Sequence, residues 1–324
     1  MSQAKQPVAY GGQAVIEGVM FTGKTVNVTA VRKKDRSIAF FETPKVEKIW
    51  VTRLKKIPFL RGIVALIDAS AKGSQHLNFS AEAYASEEGE ESEAKPDKKS
   101  LGDNLTMILG VAVVGVLSFV FGKVVFTLVP AAVEELLFGG AFDNIFLHNL
   151  IEGFIKLALL VGYILLIAQT PLIKRLFQYH GAEHKVITAY EHGDPLTVEH
   201  VQKYNTLHYR CGSSFIVLTV IVGIFLYSLP VFEWNSIWER MGIRLMLLPI
   251  VIGLSFEVLK FTNSVRNVPL LRYLGYPGLW LQLLTTKEPT DDQVEVAIAS
   301  FERMLEADRR NATRPVESSQ AVGA

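Results

Sequence analysis

Within the stretch QYHGAEHK, residues 178–185, two imidazoles and a carboxylate fall in five consecutive positions: His180, Glu183 and His184. On an α-helix, side chains three and four apart share a face, so these three would converge. Histidines at i and i+4 can grip one divalent ion, and a glutamate beside them can act as base toward a metal-bound water. The order His-x-x-Glu-His is that of the inverted zincins. Zn²⁺ suits this donor set, and it needs at least one more protein ligand. Glu191 has a similar helical angle but sits about 10 Å along the axis from His184, beyond the reach of the same shell on a straight helix. Downstream, LHYRCG offers His208 and Cys211. His208 is the first choice for the third ligand and Cys211 the second. Three ligands would leave an open, catalytic position with Glu183 as base; four would make a structural site. Gly181, costly in a helix, suits a place where a ligand or another backbone comes close. The competing reading is that the triplet only hydrogen-bonds backbone and lipid headgroups. His192 and His200 read as solvent-facing.

These residues are surrounded by hydrocarbon. The chain has 324 residues, 49% of them hydrophobic, with the apolar ones gathered in blocks. Leu105–Val129, Phe146–Ala168, Ser213–Pro230 and Ile243–Phe261 approach the roughly 20 residues that cross a bilayer. The expected fold class is therefore a mainly α membrane protein with about four transmembrane helices in a bundle, rather than a soluble protein with four buried core helices. A small β-containing cytoplasmic module and cytoplasmic helices complete it. Of the 33 Lys and Arg, 16 lie in residues 1–100, five in 169–212 and eight in 260–324. Four spans put all three segments on one side, which the positive-inside rule makes the cytoplasm. Both termini are then cytoplasmic, in the plasma membrane. The first ten residues contain no apolar run of the kind a cleavable signal peptide needs. Net charge is only +1, which argues against a nucleic-acid partner, and the single cysteine excludes an intrachain disulfide.

Residues 1–79 form the expected N-terminal module. Val26 to Thr43 reads as a hairpin, and 57–73 as an amphipathic helix lying on the membrane or packed on the protein. Residues 80–100 are acidic and read as a disordered linker. The membrane bundle would occupy 101–288, with the connector 169–212 carrying the metal site. Residues 289–310 form an amphipathic helix opened by the capping box at Thr290–Gln293, with Val294, Ala297, Ile298, Phe301, Met304 and Leu305 on one stripe. The tail, 311–324, reads as disordered.

Two further places hold unusual carboxylates. GGQAVIEGVM, residues 11–20, lacks the ending of a phosphate loop, so it supports no nucleotide site. Its Glu17, flanked by apolar residues, is either a surface turn of the strand module or a carboxylate delivered to the metal. Glu152 and Lys156 within the second span read as a mutually neutralising i, i+4 pair, and Glu257 with Lys260, at i, i+3, is read the same way.

GGQAVIEGVM, YHGAEHKVI followed by AYE and LTVE, the His208–Cys211 turn and LQLLTTKEPTDDQVEVAI together resemble the YqhQ-like family of bacterial multi-pass membrane proteins. The similarity runs over residues 8–308. The resemblance implies a polytopic protein of the plasma membrane and a predicted metal-dependent enzyme without a known substrate. It makes His180, Glu183, His184, His208, Arg210, Cys211, Glu17 and Gln282 the matching motif positions. The family's usual proline after the histidine is Tyr209 here, which leaves His208 and Cys211 in place. The leading expectation is a membrane-anchored hydrolase with a divalent metal, Zn²⁺, the lipid bilayer as partner and an unknown substrate. The alternative is a scaffold or assembly factor whose metal pins two segments together, and homo-oligomers fit either. Transport through Glu152 and Lys156 is weaker, because no internal repeat is visible.

Overall fold

In the computed structural model the described residues are 10–45, 49–85, 122, 125–126, 129–229, 231–232 and 236–313. They form a mainly helical protein with one N-terminal antiparallel sheet. The strands are β1 (Gly11–Val15), β2 (Gly18–Thr22), β3 (Val26–Arg32) and β4 (Ile38–Pro44), in the order β1-β2-β3-β4. The helices are α1 (Ile49–Leu54), α2 (Leu60–Ala85), α3 (Val129–Phe138), α4 (Ile145–Ile167), α5 (Pro171–His192), α6 (Val198–Gln202), α7 (Ser214–Tyr227), α8 (Ile237–Ser264), α9 (Tyr276–Thr285) and α10 (Asp291–Thr313).

The hairpin expected at 26–43 is β3–β4, with Val31 opposite Ala39. GGQAVIEGVM forms a second hairpin, in which Val15 pairs with Gly18 and Glu17 takes a positive φ of 52° at the turn. Alternation gives the sheet two apolar faces. Val19, Phe21, Val28 and Ala30 pack against α5 and α10, whereas Val15, Met20 and Val31 meet Ala83 and Phe79 of α2. Thr29 turns to the α2 face too, where its hydroxyl lies 2.6 Å from Nδ1 of the fully buried His76.

The stripe expected on the C-terminal helix is found on α10: Val294, Ala297, Phe301 and Met304 are fully buried. Phe301 sits edge-on to Phe21 and Tyr10. At the other end Asp308 accepts hydrogen bonds from the backbone N–H groups of Lys24 and Thr25, 2.7 and 2.8 Å, closing the β2–β3 turn. The last helix thus completes the core beneath the N-terminal sheet. Gln293 bonds back to the Thr290 N–H at 2.9 Å, one half of the capping box. The Thr290 hydroxyl instead reaches Asp292.

Residues 80–85, expected at the start of the acidic linker, continue α2 with Ser80 and Ala83 buried against the sheet. The rest of that linker lies outside the described residues, as do most of the first expected span, 105–129, and the tail from 314; residues 311–313 still belong to α10. Helix α2 packs on the protein at both ends, meeting α8 where Gly62 faces Phe256 and Arg61 pairs with Glu257.

Two described helices are long and apolar enough to cross a membrane: α4, and α8 from Trp238 to Ser264. The stretch expected as the third span forms α7, an apolar helix of 14 residues, which at 1.5 Å per residue spans about 21 Å. Helix α8 begins before the expected boundary and takes in Arg240 and Arg244. This corrects the pairing expected inside the membrane region. The Glu152 carboxylate is held by Arg240 and Arg244 from α8, with Asn149 also on Arg244. Glu257 pairs chiefly with Arg61, and the expected attraction of Lys260 is present as a weaker one. For Glu152 the local i, i+4 spacing was the wrong guide, because guanidinium forks from a neighbouring helix present a better match to a carboxylate.

Candidate metal centre

Helix α5 starts with Pro171 in its first turn and stops at Gly193, whose left-handed φ of 80° permits the terminal bonds to Ala189 and Tyr190. Between those ends His180, Glu183 and His184 do share a face. Residues 181–187 are all buried, because the sheet, α10 and the loop 203–213 close on the helix from several sides. Gly181 is what allows one approach: a Cβ there would lie 2.1 Å from the Lys287 carbonyl oxygen. The glycine admits backbone, not ligand.

The two imidazoles are fixed by carbonyls. His180 Nδ1 is 2.8 Å from Thr285 O, and His184 Nδ1 is 2.5 Å from Thr206 O. A carbonyl can only accept, so each Nδ1 carries the proton and each Nε2 keeps its lone pair. His180 Nε2 then lies 3.2 Å from Cys211 Sγ, and a ligand nitrogen of His184 lies within 4.8 Å of the same sulfur. One ligand atom from each of His180, His184 and Cys211 falls within 4.8 Å of the others. The Ser213 backbone N–H, 3.4 Å from the sulfur, and the Ser213 hydroxyl, 3.0 Å, are placed to stabilise a thiolate. A thiol has one proton and can satisfy only one of the two Nε2 lone pairs; a divalent cation held by a thiolate satisfies both. The donor set therefore fits Zn²⁺, and the carbonyls are the outer partners that orient metal-binding histidines.

Cys211, the second choice by sequence, closes the trio. His208 stands beside it, its ring centroid 5.5 Å from that of His184 and its Nε2 4.0 Å from Glu191. Gln282, fully buried, grips the His208 backbone from both sides, accepting from its N–H and donating to its carbonyl at 2.8 Å each. Arg210 is paired with Glu191, so neither reaches the trio. Glu17 is also elsewhere: Arg175 clamps its carboxylate, and the Tyr179 hydroxyl is 3.3 Å away. It ties the β1–β2 hairpin to α5 one turn before the triplet. His192 and His200 bond Thr188 and Thr197 on their own local turns.

Glu183 carries the electrostatic signature of the site. Burial pushes its carboxyl up from the usual range, opposed by the nearby His180 and His208 and by a hydrogen bond from the Gly12 N–H. Burial holds His184 and His208 below the ordinary histidine value, which keeps both neutral. A cavity of about 320 Å³ opens beside them, lined by Gly11 to Ala14 of β1 as well as by Glu183, His184 and Cys211. The partners that sequence did not reveal are backbone groups: the carbonyls of Thr206 and Thr285 and the N–H of Gly12. Only the glycine pair at 11–12 hinted at a close approach.

The family described as "Protein of unknown function (DUF1385)" matches residues 57–307, which covers α2 through most of α10 and the whole trio. The chain belongs to the DUF1385 family. It is also similar to the "Uncharacterized protein YqhQ" of Bacillus subtilis (strain 168), 56% identical over 310 residues that cover 94% of this chain and 95% of that one. No solved structure matches. The DUF1385 match begins after the sheet, so β1 and Glu17 fall outside the family's matched region.

Proposed function

We propose that this protein is a membrane-embedded hydrolase with Zn²⁺ at the cytoplasmic border of the plasma membrane. The observation that carries this reading is the convergence of two Nε2 lone pairs on one sulfur, beside a buried carboxylate and an adjoining cavity. Zn²⁺, when bound, lowers the pKa of its water to about 7 and so supplies a nucleophile at neutral pH. His180, His184 and Cys211 hold the ion. Glu183 accepts the proton of the attacking water at its carboxylate and passes it to the leaving group; its raised proton affinity suits that double duty. The Gly12 N–H orients the carboxylate, and Thr206 and Thr285 keep the imidazoles aimed. Helices α4 and α8, with α7 beside them, support the lipid bilayer as the first partner, and the basic residues of 1–100, 169–212 and 260–324 favour a cytoplasmic side for those segments and both termini. Self-association and an unknown substrate complete the reading, with no nucleic acid.

A second reading is a non-enzymatic scaffold whose metal pins α5 to the loop before α7. His208 favours it, standing near enough to serve as a fourth ligand after a side-chain turn. Elemental analysis of protein purified without chelators separates the two. Wild type should hold one Zn²⁺ per chain, and His180→Ala, His184→Ala and Cys211→Ala should each lose it. Glu183→Gln should keep the ion and lose turnover in a screen of ester, amide and phosphoester substrates. His208→Ala should keep the ion in the hydrolase and lose it in the pin. Metal-free wild type sinks both readings.

A further inference from the structure

We propose, resting on the hydrolase reading, that the free edge of β1 docks an extended polypeptide and that the bond hydrolysed is a peptide bond. Among the described residues β1 pairs only with β2, so its other edge is unpaired. Alternate N–H groups show where that edge points. The Gly12 N–H goes to Glu183 and the Ile16 N–H to Ser80 Oγ at 3.2 Å, both away from β2. Ala14, midway between them, must point the same way, and no described group is bonded to its N–H. The edge therefore presents an N–H and a carbonyl at Ala14 about 6.8 Å along the strand from the N–H that holds Glu183.

That pattern selects the ligand. The free N–H and the carbonyl of Ala14 complement one residue of another extended backbone, and strand addition to a sheet edge is an established route to peptide recognition. The same edge lines the cavity that holds the trio, and among the described residues nothing comes within 4 Å of a Cβ at Gly11, at the strand's outer end. A peptide laid along Ala14 runs past the carboxylate. Its hydrolysis is balanced without any redox partner: the water oxygen bonds the carbonyl carbon, the C–N bond breaks, and a water proton reaches the leaving nitrogen through Glu183. The products are a carboxylate and an amine.

The test uses the full chain in nanodiscs, with zinc content measured, and a random-sequence dodecapeptide library as probe. In Glu183→Gln, saturating library should slow hydrogen exchange of the β1 amides, Ala14 above all, by at least tenfold. Wild type should cleave the library. Ala14→Pro removes the outward N–H but no β1–β2 bond, and should retain zinc while losing at least tenfold in cleavage. Zinc-loaded wild type that leaves the library intact, with no protection of β1, overturns the peptide inference and leaves the metal reading standing. Cleavage indifferent to Ala14→Pro overturns docking on β1. Should that variant misfold, the exchange measurement on Glu183→Gln decides alone. Wild type without zinc brings down the hydrolase reading beneath it.

Discussion

Gly181 tests the architecture of the site without touching any ligand. Replacing it with alanine puts a Cβ 2.1 Å from the Lys287 carbonyl oxygen and 3.1 Å from Thr206 Cγ2. Carbon and carbonyl oxygen sit no closer than about 3.3 Å in ordinary contacts, so the 285–287 segment must retreat by roughly 1 Å. Two bonds depend on its position: Lys287 N–H to Phe177 O at 2.9 Å, and His180 Nδ1–H to Thr285 O at 2.8 Å. Overpacking costs about 1–3 kcal/mol and a lost backbone bond about 1 kcal/mol, against about 1 kcal/mol returned by alanine's better helix propensity. The net is a loss of about 1–3 kcal/mol in stability. The larger effect falls on the metal, because freeing His180 from its carbonyl typically costs about 10–100-fold in affinity. Zinc competition titrations on Gly181→Ala should show that drop, whereas Gly212→Ala, with nothing within 4 Å of its Cβ, should not. Wild-type zinc affinity in Gly181→Ala would refute the claim that the Thr285 carbonyl orients the site.

Three other expectations concern the frame. Burial lowers the His76 pKa to about 4 in the fold, against about 6.5 in the unfolded chain; the unfolded state therefore takes up a proton first as pH falls. Stability that is intact above pH 6.5 should decline between pH 6.5 and 4 by roughly 3 kcal/mol. Denaturation in detergent at pH 7 and 4.5 should show a smaller loss for His76→Gln than for wild type, and equal losses would exclude this role. Glu152→Leu leaves the Arg240 and Arg244 guanidiniums buried without their shared carboxylate, a defect worth about 3–5 kcal/mol; an unchanged melting midpoint would show the cluster to be dispensable. In a Cys211→Ser background, an impermeant thiol reagent applied to intact cells should label Ser236→Cys and spare Asp194→Cys, and the reverse pattern would invert the orientation.

Much of this structure was legible wherever side-chain type and period carry the information. The His-x-x-Glu-His face follows from 3.6 residues per turn, and the α10 stripe from its apolar spacing. The β1–β2 hairpin was hidden because β2 is buried on both faces, so GVMFT shows no alternation of polar and apolar residues. The order of the third ligands was hidden for another reason. His208 and Cys211 sit at opposite ends of one turn, closed by the Cys211 N–H to His208 O at 3.3 Å. How that turn sits against α5 is set by Gln282, more than 70 residues away, which holds the His208 backbone. The ion partners of Glu152 depend in the same way on how α4 meets α8, and spacing along one helix says nothing about that.

The middle of α5 shows what the surrounding layers are for. Glu183, His184 and Lys185 are three consecutive polar residues, each no more than 5% exposed. Unpaired, such groups would each cost several kcal/mol. Each is paired, and the partners come from three separate segments. Glu183 is met by the Gly12 N–H from the sheet, His184 by the Thr206 carbonyl, and Lys185 by the Gln202 carbonyl and Glu288. A helix that served only to pack would carry apolar residues here, as its neighbours Ala182, Val186 and Ile187 do. Retaining a carboxylate and an imidazole at the bottom of a cavity, at the expense of three converging segments, is a local conflict of the kind that marks a functional site. The N-terminal sheet, the loop before α7 and the link into α10 meet at this one turn of helix because each supplies a group that the turn cannot do without.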